Sequence, residues 1–155
     1  MLLIWVVSLF AVQEPPTEFP DFPANAPPLV GEPAAPILDT PQARRYRTRL
    51  REGAAEGPNF NGHFRIVWWG CGTNCLEWAF VDLTTGEVTM VPLDPVPCFH
   101  PRIDDAGRPH WVESSADSRL FIVYRCTCKG NQEAGGKRLY VWEDGEAKLL
   151  REECE

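Results

Sequence analysis

The stretch Asn59 to Val91, NFNGHFRIVWWGCGTNCLEWAFVDLTTGEVTMV, constrains the fold more than any other part of the chain. His63 to Trp69 is β-branched and aromatic and reads as a strand. Alternation puts Phe64, Ile66 and Trp68 on one face and Arg65, Val67 and Trp69 on the other. Both faces carry apolar residues, so the strand is expected at the centre of a sheet, covered on both sides. A tight loop bracketed by Cys71 and Cys75 follows, then a strand over Leu76 to Asp82. The Asp82-Leu-Thr-Thr-Gly86 turn leads into a third strand over Glu87 to Val91, with Gly86 free to take the positive φ of such turns.

The second half echoes this order. Arg119 to Arg125 (RLFIVYR) mirrors FRIVWWG and also runs into paired cysteines, Cys126 and Cys128. Ile66-Val67-Trp68 aligns with Ile122-Val123-Tyr124. A Gly-rich loop then leads to a strand over Lys137 to Trp142, a turn at Glu143-Asp-Gly145 and a strand over Ala147 to Leu150. The expected fold class is mainly β (α+β): about six antiparallel strands as two repeated three-stranded meanders, with one N-terminal helix packed on them. Two such units are too few to close a propeller. Between them, Pro92 to Glu113 holds five prolines and Cys98, a length that suits a functional or disulfide-pinned loop.

Upstream the composition changes. Residues 1–13 hold the apolar run MLLIWVVSLFAV, shorter than the roughly 20 residues of a spanning helix. It reads as a signal peptide, with a short membrane anchor as the other reading. Nine of the fifteen prolines lie between Glu14 and Pro41, so 14–39 is expected to be an extended, disordered arm. Phe19, Phe22 and Ile37 give it the means to dock. Residues 40–155 then form the domain. Thr40-Pro41 starts a helix as a hydroxyl N-cap followed by proline. Ala43, Tyr46, Leu50 and Ala54 form its narrow apolar stripe, and Gly53 or Gly57-Pro58 ends it. Arg44, Arg45, Arg47, Arg49 and Arg51 lie mostly off the stripe and read as a solvated face.

The chain has six cysteines, an even number. Cys71, Cys75, Cys98, Cys126, Cys128 and Cys154 read as up to three disulfides of an exported domain. One arrangement joins Cys71 or Cys75 to Cys126 or Cys128, and Cys98 to Cys154. The competing reading is a zinc site on Cys71, Cys75, Cys126 and Cys128, although C-x3-C and C-x-C are irregular zinc spacings.

A net charge of −7 argues against a nucleic-acid partner, which needs clustered cations, and the one basic cluster is the five arginines of the helix. Phosphate loops, dinucleotide fingerprints, EF-hands and nucleophile elbows are absent from the sequence, and no cofactor is implied. His63 with an acidic partner is the constellation that a small hydrolase would use, and Ser114, Ser115 or Ser118 with Asp82 or Asp117 could compose a Ser-His-Asp set, although no spacing supports one. The alternation of His63 with core residues favours a structural hydrogen bond instead. The abundance of tryptophan and tyrosine admits an aromatic surface for a protein or carbohydrate ligand.

Asn59, Phe60, Gly62, His63, Phe64, Ile66, Val67, Trp69, Gly70, Cys71, Gly72, Thr73 and Cys75 match the phrase N-F-x-G-H-[FY]-x-[IV]-V-x-W-G-C-G-[TS]-x-C. Through it the chain resembles a family of small secreted or periplasmic bacterial proteins of unknown function. The likeness runs from about Thr40 to Leu150; the long proline arm departs from it. It implies export and a small β-rich fold, and carries no catalytic residue across. The leading expectation is a non-catalytic binding module, secreted or periplasmic, that meets a membrane only through its N-terminal segment. Asn59, His63, Trp69, Gly70, Gly72, Thr73 and Asn74 are its candidate contact residues.

Overall fold

The computed structural model describes residues 18–72, 75–90, 102–103, 106–107, 109–125 and 135–154, with backbone only for Cys75, Arg102, Pro109 and Arg125. Residues 1–13, with the signal or anchor reading, lie outside them, as do Thr73, Asn74, Cys98, Cys126 and Cys128. No helix among the described residues is long and apolar enough to cross a membrane.

The protein is mainly β. The first sheet holds β1 (Phe64–Gly72), β2 (Cys75–Asp82) and β3 (Val88–Met90), in that order. A two-stranded ladder joins β4 (Arg102–Ile103) to β5 (Pro109–His110). The second sheet runs β6 (Val112–Ser114), β7 (Leu120–Arg125), β8 (Gly136–Glu143) and β9 (Glu146–Cys154). All pairings are antiparallel.

Two repeated three-stranded meanders were expected, and the second sheet has a fourth strand. Val112 to Ser114, inside what reads as a long connection, pairs with β7 at Val112↔Val123 and Ser114↔Phe121. The expected central position of β1 is also corrected: β2 is the middle strand and β1 an edge. Both faces of β1 are nonetheless covered. Ile66 packs with Trp78, Phe80, Phe121, Val123 and Trp142 between the sheets, while Val67 and Trp69 pack with Leu50, Ala54 and Val81 on the opposite face. The echo keeps strand order but not facing. Ile66 and Val123 share the inter-sheet core, whereas Ile122 lies with Leu120 and Leu139 on the outer face. With a side-chain period of two, aligning Ile66 with Ile122 pairs residues of opposite faces.

The single expected helix is two segments, α1 (Pro41–Arg45) and α2 (Arg47–Ala55), because Tyr46 leaves helical geometry at φ −102° and ψ 19°. The hydrogen-bond ladder continues across the break, with the Tyr46 N–H donating to Gln42 at 3.1 Å and the Leu50 N–H to Tyr46 at 3.1 Å. Thr40 caps the start, its hydroxyl accepting from the Ala43 N–H at 3.1 Å. Ala43, Leu50 and Ala54 are buried on the first sheet, as the stripe predicts. Gly53 lets α2 sit close on β1, since a Cβ there would come within 2.6 Å of the Val67 side chain.

The proline-rich arm is the largest departure. Over its described part, from Glu18 onward, it is a strap. Phe19 and Phe22 pack on the outer face of the second sheet against the Leu120, Ile122 and Leu139 cluster. The chain then passes the end of the sandwich, bridging Pro23 to Ser118. On the outer face of the first sheet, the Ala34 N–H donates to Leu83 at 2.8 Å and the Ile37 N–H to Gly86 at 2.7 Å. Leu29 and Leu38 join the cluster there. Proline disfavours helix and central strand, but an extended segment bonded through its non-proline residues is compatible with it.

Candidate functional site

The stretch Asn59 to Phe64 turns out to be the fastening for that strap. Asn61 and Gly62 take positive φ, 38° and 81°, reversing the chain so that Phe60 bridges Phe64. Phe60 is fully buried among Phe80, Phe121 and Trp142. Asn61 is 1% exposed, and its Oδ1 accepts from the Asn25 N–H at 2.9 Å and the Ala26 N–H at 3.4 Å. Its backbone N–H donates to Ser118 at 3.0 Å, and that of Gly62 to Ala116 at 2.6 Å. A Cβ on Gly62 would lie 2.3 Å from the Ala26 carbonyl oxygen, so both the φ and the passing strap require glycine.

His63 belongs to the same fastening. Its ring stacks on Phe64 at 4.6 Å and is buried. Nδ1 lies 2.8 Å from the Pro27 carbonyl, an acceptor only, so Nδ1 carries a proton and donates it. Nε2 faces Asp82 Oδ1 at 3.6 Å. That oxygen also accepts from the Thr84 hydroxyl at 2.6 Å and the Thr84 N–H at 2.8 Å. Burial raises the Asp82 pKa, but the Thr84 bonds, the Thr85 N–H and the charge of His63 outweigh it and hold the carboxyl below its ordinary value. A general base needs a ring nitrogen turned toward substrate. Here Nδ1 is bonded to the strap and Nε2 faces the carboxylate in the turn of the first sheet, an arrangement that ties the two together.

The other expected contact residues separate. Trp69 is 4% exposed, packed on Tyr46 at 4.7 Å, so it is a core residue and not a surface contact. Gly70 and Gly72 are exposed at the far end of β1. Thr73 and Asn74 lie outside the described residues. Cys71 and Cys154 are each disulfide-bonded. A disulfide sulfur offers no thiolate, so a zinc set that includes Cys71 loses that ligand. Of the other four cysteines, Cys98, Cys126 and Cys128 lie outside the described residues and Cys75 is described in its backbone only. The basic helix is partly occupied: Arg44 donates to the Asp39 carbonyl at 2.7 Å, Arg47 to the Arg44 carbonyl at 3.3 Å, and Arg49 faces Glu52 at 3.8 Å.

The residue that alternation misplaced is Trp68. It lies on the same side of β1 as the core residues Phe64 and Ile66, yet is 39% exposed. Its side chain borders a cavity of about 540 Å³, lined also by Phe19, Asn59, His110, Val112, Glu113 and Ser114. The opening lies between two sheet edges, β1 and β6. At one end these edges are tied through Asn61, Gly62 and the 115–118 segment. Toward Trp68 the cavity lies between them. Asn59 stands at the junction, with Oδ1 accepting from the Ile66 N–H at 2.7 Å and Nδ2 donating to the Ile66 carbonyl at 3.1 Å. Asn59 was expected among the contact residues and does line the cleft, although its amide is engaged by β1. Trp68 carried no separate sequence signal, since its exposure depends on which distant segments reach that part of β1.

Compared with protein-family models, with curated proteins and with solved structures, the chain gives no match.

Proposed function

We propose that this chain is an exported, disulfide-braced β domain that acts by binding rather than by catalysis, with its ligand seated in the cleft beside Trp68. The carrying observation is the exposed tryptophan over a cavity of about 540 Å³. That volume lies in the range of small-ligand sites, roughly 300–1,000 Å³. Its lining combines aromatic and apolar surface from Trp68, Phe19 and Val112 with polar groups from Asn59, Glu113 and Ser114. Such a mixture suits a protein segment or a carbohydrate. The apolar start of the chain and the disulfides at Cys71 and Cys154 support export to an oxidising compartment. The likeness carried by the Asn59 to Cys75 phrase points the same way.

Two measurements test this reading. The mass of the unreduced, exported chain should fall below that of the reduced chain by one pair of hydrogens per bond, and a chain with all thiols free would sink the compartment assignment. Displayed peptides and oligosaccharide panels should yield at least one class that binds saturably and is lost on Trp68→Ala. If neither panel gives Trp68-dependent binding, the cleft is not a ligand seat.

A further inference from the structure

Resting on the reading of the cleft as a ligand seat, we infer that its occupant is an extended peptide of a partner protein, added as a strand along β1 in the gap that separates β1 from β6. The backbone pattern of both walls carries this. On β1, Phe64 accepts from the Asn59 and Phe60 N–H groups, and Ile66 bonds Asn59, all on the side away from β2. Antiparallel pairing turns every second residue the same way, so the N–H and C=O of Trp68 also point out of the sheet. On β6, the Trp111 carbonyl accepts from the Tyr124 N–H at 2.9 Å, which places residue 111 in a bonded pair with β7. The same alternation turns Val112 and Ser114 away from β7, toward the cavity that they line. Among the described residues nothing is bonded to the outward backbone groups of Trp68, Val112 or Ser114.

The chemistry of the missing partner is indicated by Asn59. Its carboxamide gives Ile66 one acceptor and one donor, as a peptide group of a neighbouring strand does. The next outward residue along the same edge is Trp68, at the cavity. A chain continuing from the position of the Asn59 amide would therefore meet Trp68 through a second amide. The protein already takes an extended segment of its own this way: Arg119 donates to the Phe22 carbonyl at 3.0 Å and Ala24 to the Asp117 carbonyl at 2.8 Å. Strand addition draws affinity from the backbone ladder and selectivity from alternate side chains, for which Trp68 and Val112 supply apolar contact. A sugar would use the Trp68 ring but not the ladder.

The test uses the full oxidised chain and displayed random peptides of about eight residues, a little above ordinary strand length. Selected peptides should slow amide exchange at Trp68, Val112 and Ser114 by at least about tenfold. N-methylation at alternate peptide nitrogens should weaken binding by about tenfold or more, and at intervening nitrogens by less than about threefold. Ser114→Pro, a change edge strands tolerate, should weaken binding while leaving the melting transition in place. If this variant fails to fold, the exchange measurement decides. Trp68-dependent peptide binding that ignores N-methylation overturns strand addition. Trp68-dependent oligosaccharide binding with no peptide selected overturns it too, while leaving the cleft as a ligand seat. Dimerisation of the chain through this edge, in place of peptide capture, also overturns it. If neither panel gives Trp68-dependent binding, both this inference and the underlying reading fail.

Discussion

The two ends of β1 carry similar residues and meet opposite fates. At the start, Phe60, Asn61, Gly62, His63 and Phe64 are closed in by the strap and the second sheet. Polar groups there reach partners across long sequence gaps, as Asn61 does with Asn25 and His63 with Pro27. At the other end, Trp68 is partly bare and Gly70 and Gly72 are exposed. The same alternation of apolar residues runs through both ends. What differs is cover: the strap and the 115–118 segment converge on the first end, while at the other Trp68 borders a cavity. A motif rich in Asn, Gly and His thus marks the fastened end, while the proposed binding face lies beside it.

The largest expected break in this contrast comes from Gly62→Ala. It forces a side chain into the strap carbonyls and onto a left-handed backbone, and should cost about 3 kcal/mol or more, read by chemical denaturation. Asn61→Ala should cost about 2 kcal/mol, because it leaves strap N–H groups unpaired in a buried place. Phe19 and Phe22 should become more accessible to protease cleavage in that variant. At the open end, Trp68→Ala should cost less than about 1.5 kcal/mol while abolishing ligand binding. If Trp68→Ala proves as damaging to stability as Asn61→Ala, the two ends are not different in kind.

A finer test uses pH. The Asp82 carboxyl is held below its ordinary value, so the stability it contributes is present above that value, about 3.9, and is lost as pH falls through the lower folded one. Asp82→Asn should therefore flatten the acid limb of the stability profile below about pH 4. An unchanged limb would separate Asp82 from the fastening. The smallest effect is expected from Val30→Ser on the strap, within about 0.5 kcal/mol, since Val30 is 92% exposed.

Much of the fold was legible residue by residue. The strand at His63 to Trp69, the Thr40 cap and the turn at Glu143-Asp-Gly145 follow from local sterics, and the structure has them at those places. The fourth strand of the second sheet was not legible, because Val112 to Ser114 is only three residues long and only its register with β7 makes it a strand. The candidate site was read less well. Trp69 and Trp68 are neighbours of identical type, and alternation says that they face opposite ways without saying which face is covered. The choice of Trp69 over Trp68 had the burial reversed.

The sequence by itself determined the strand period, the helix cap and the turn glycines, since each depends on the backbone of a few adjacent residues. Tertiary structure alone decided that a proline-rich segment becomes a strap and that His63 holds it. It also decided that a tryptophan on the core side of a strand stands at an opening. Those outcomes depend on which distant segment reaches a given face, and burial is a property of the pair of surfaces that meet rather than of either sequence.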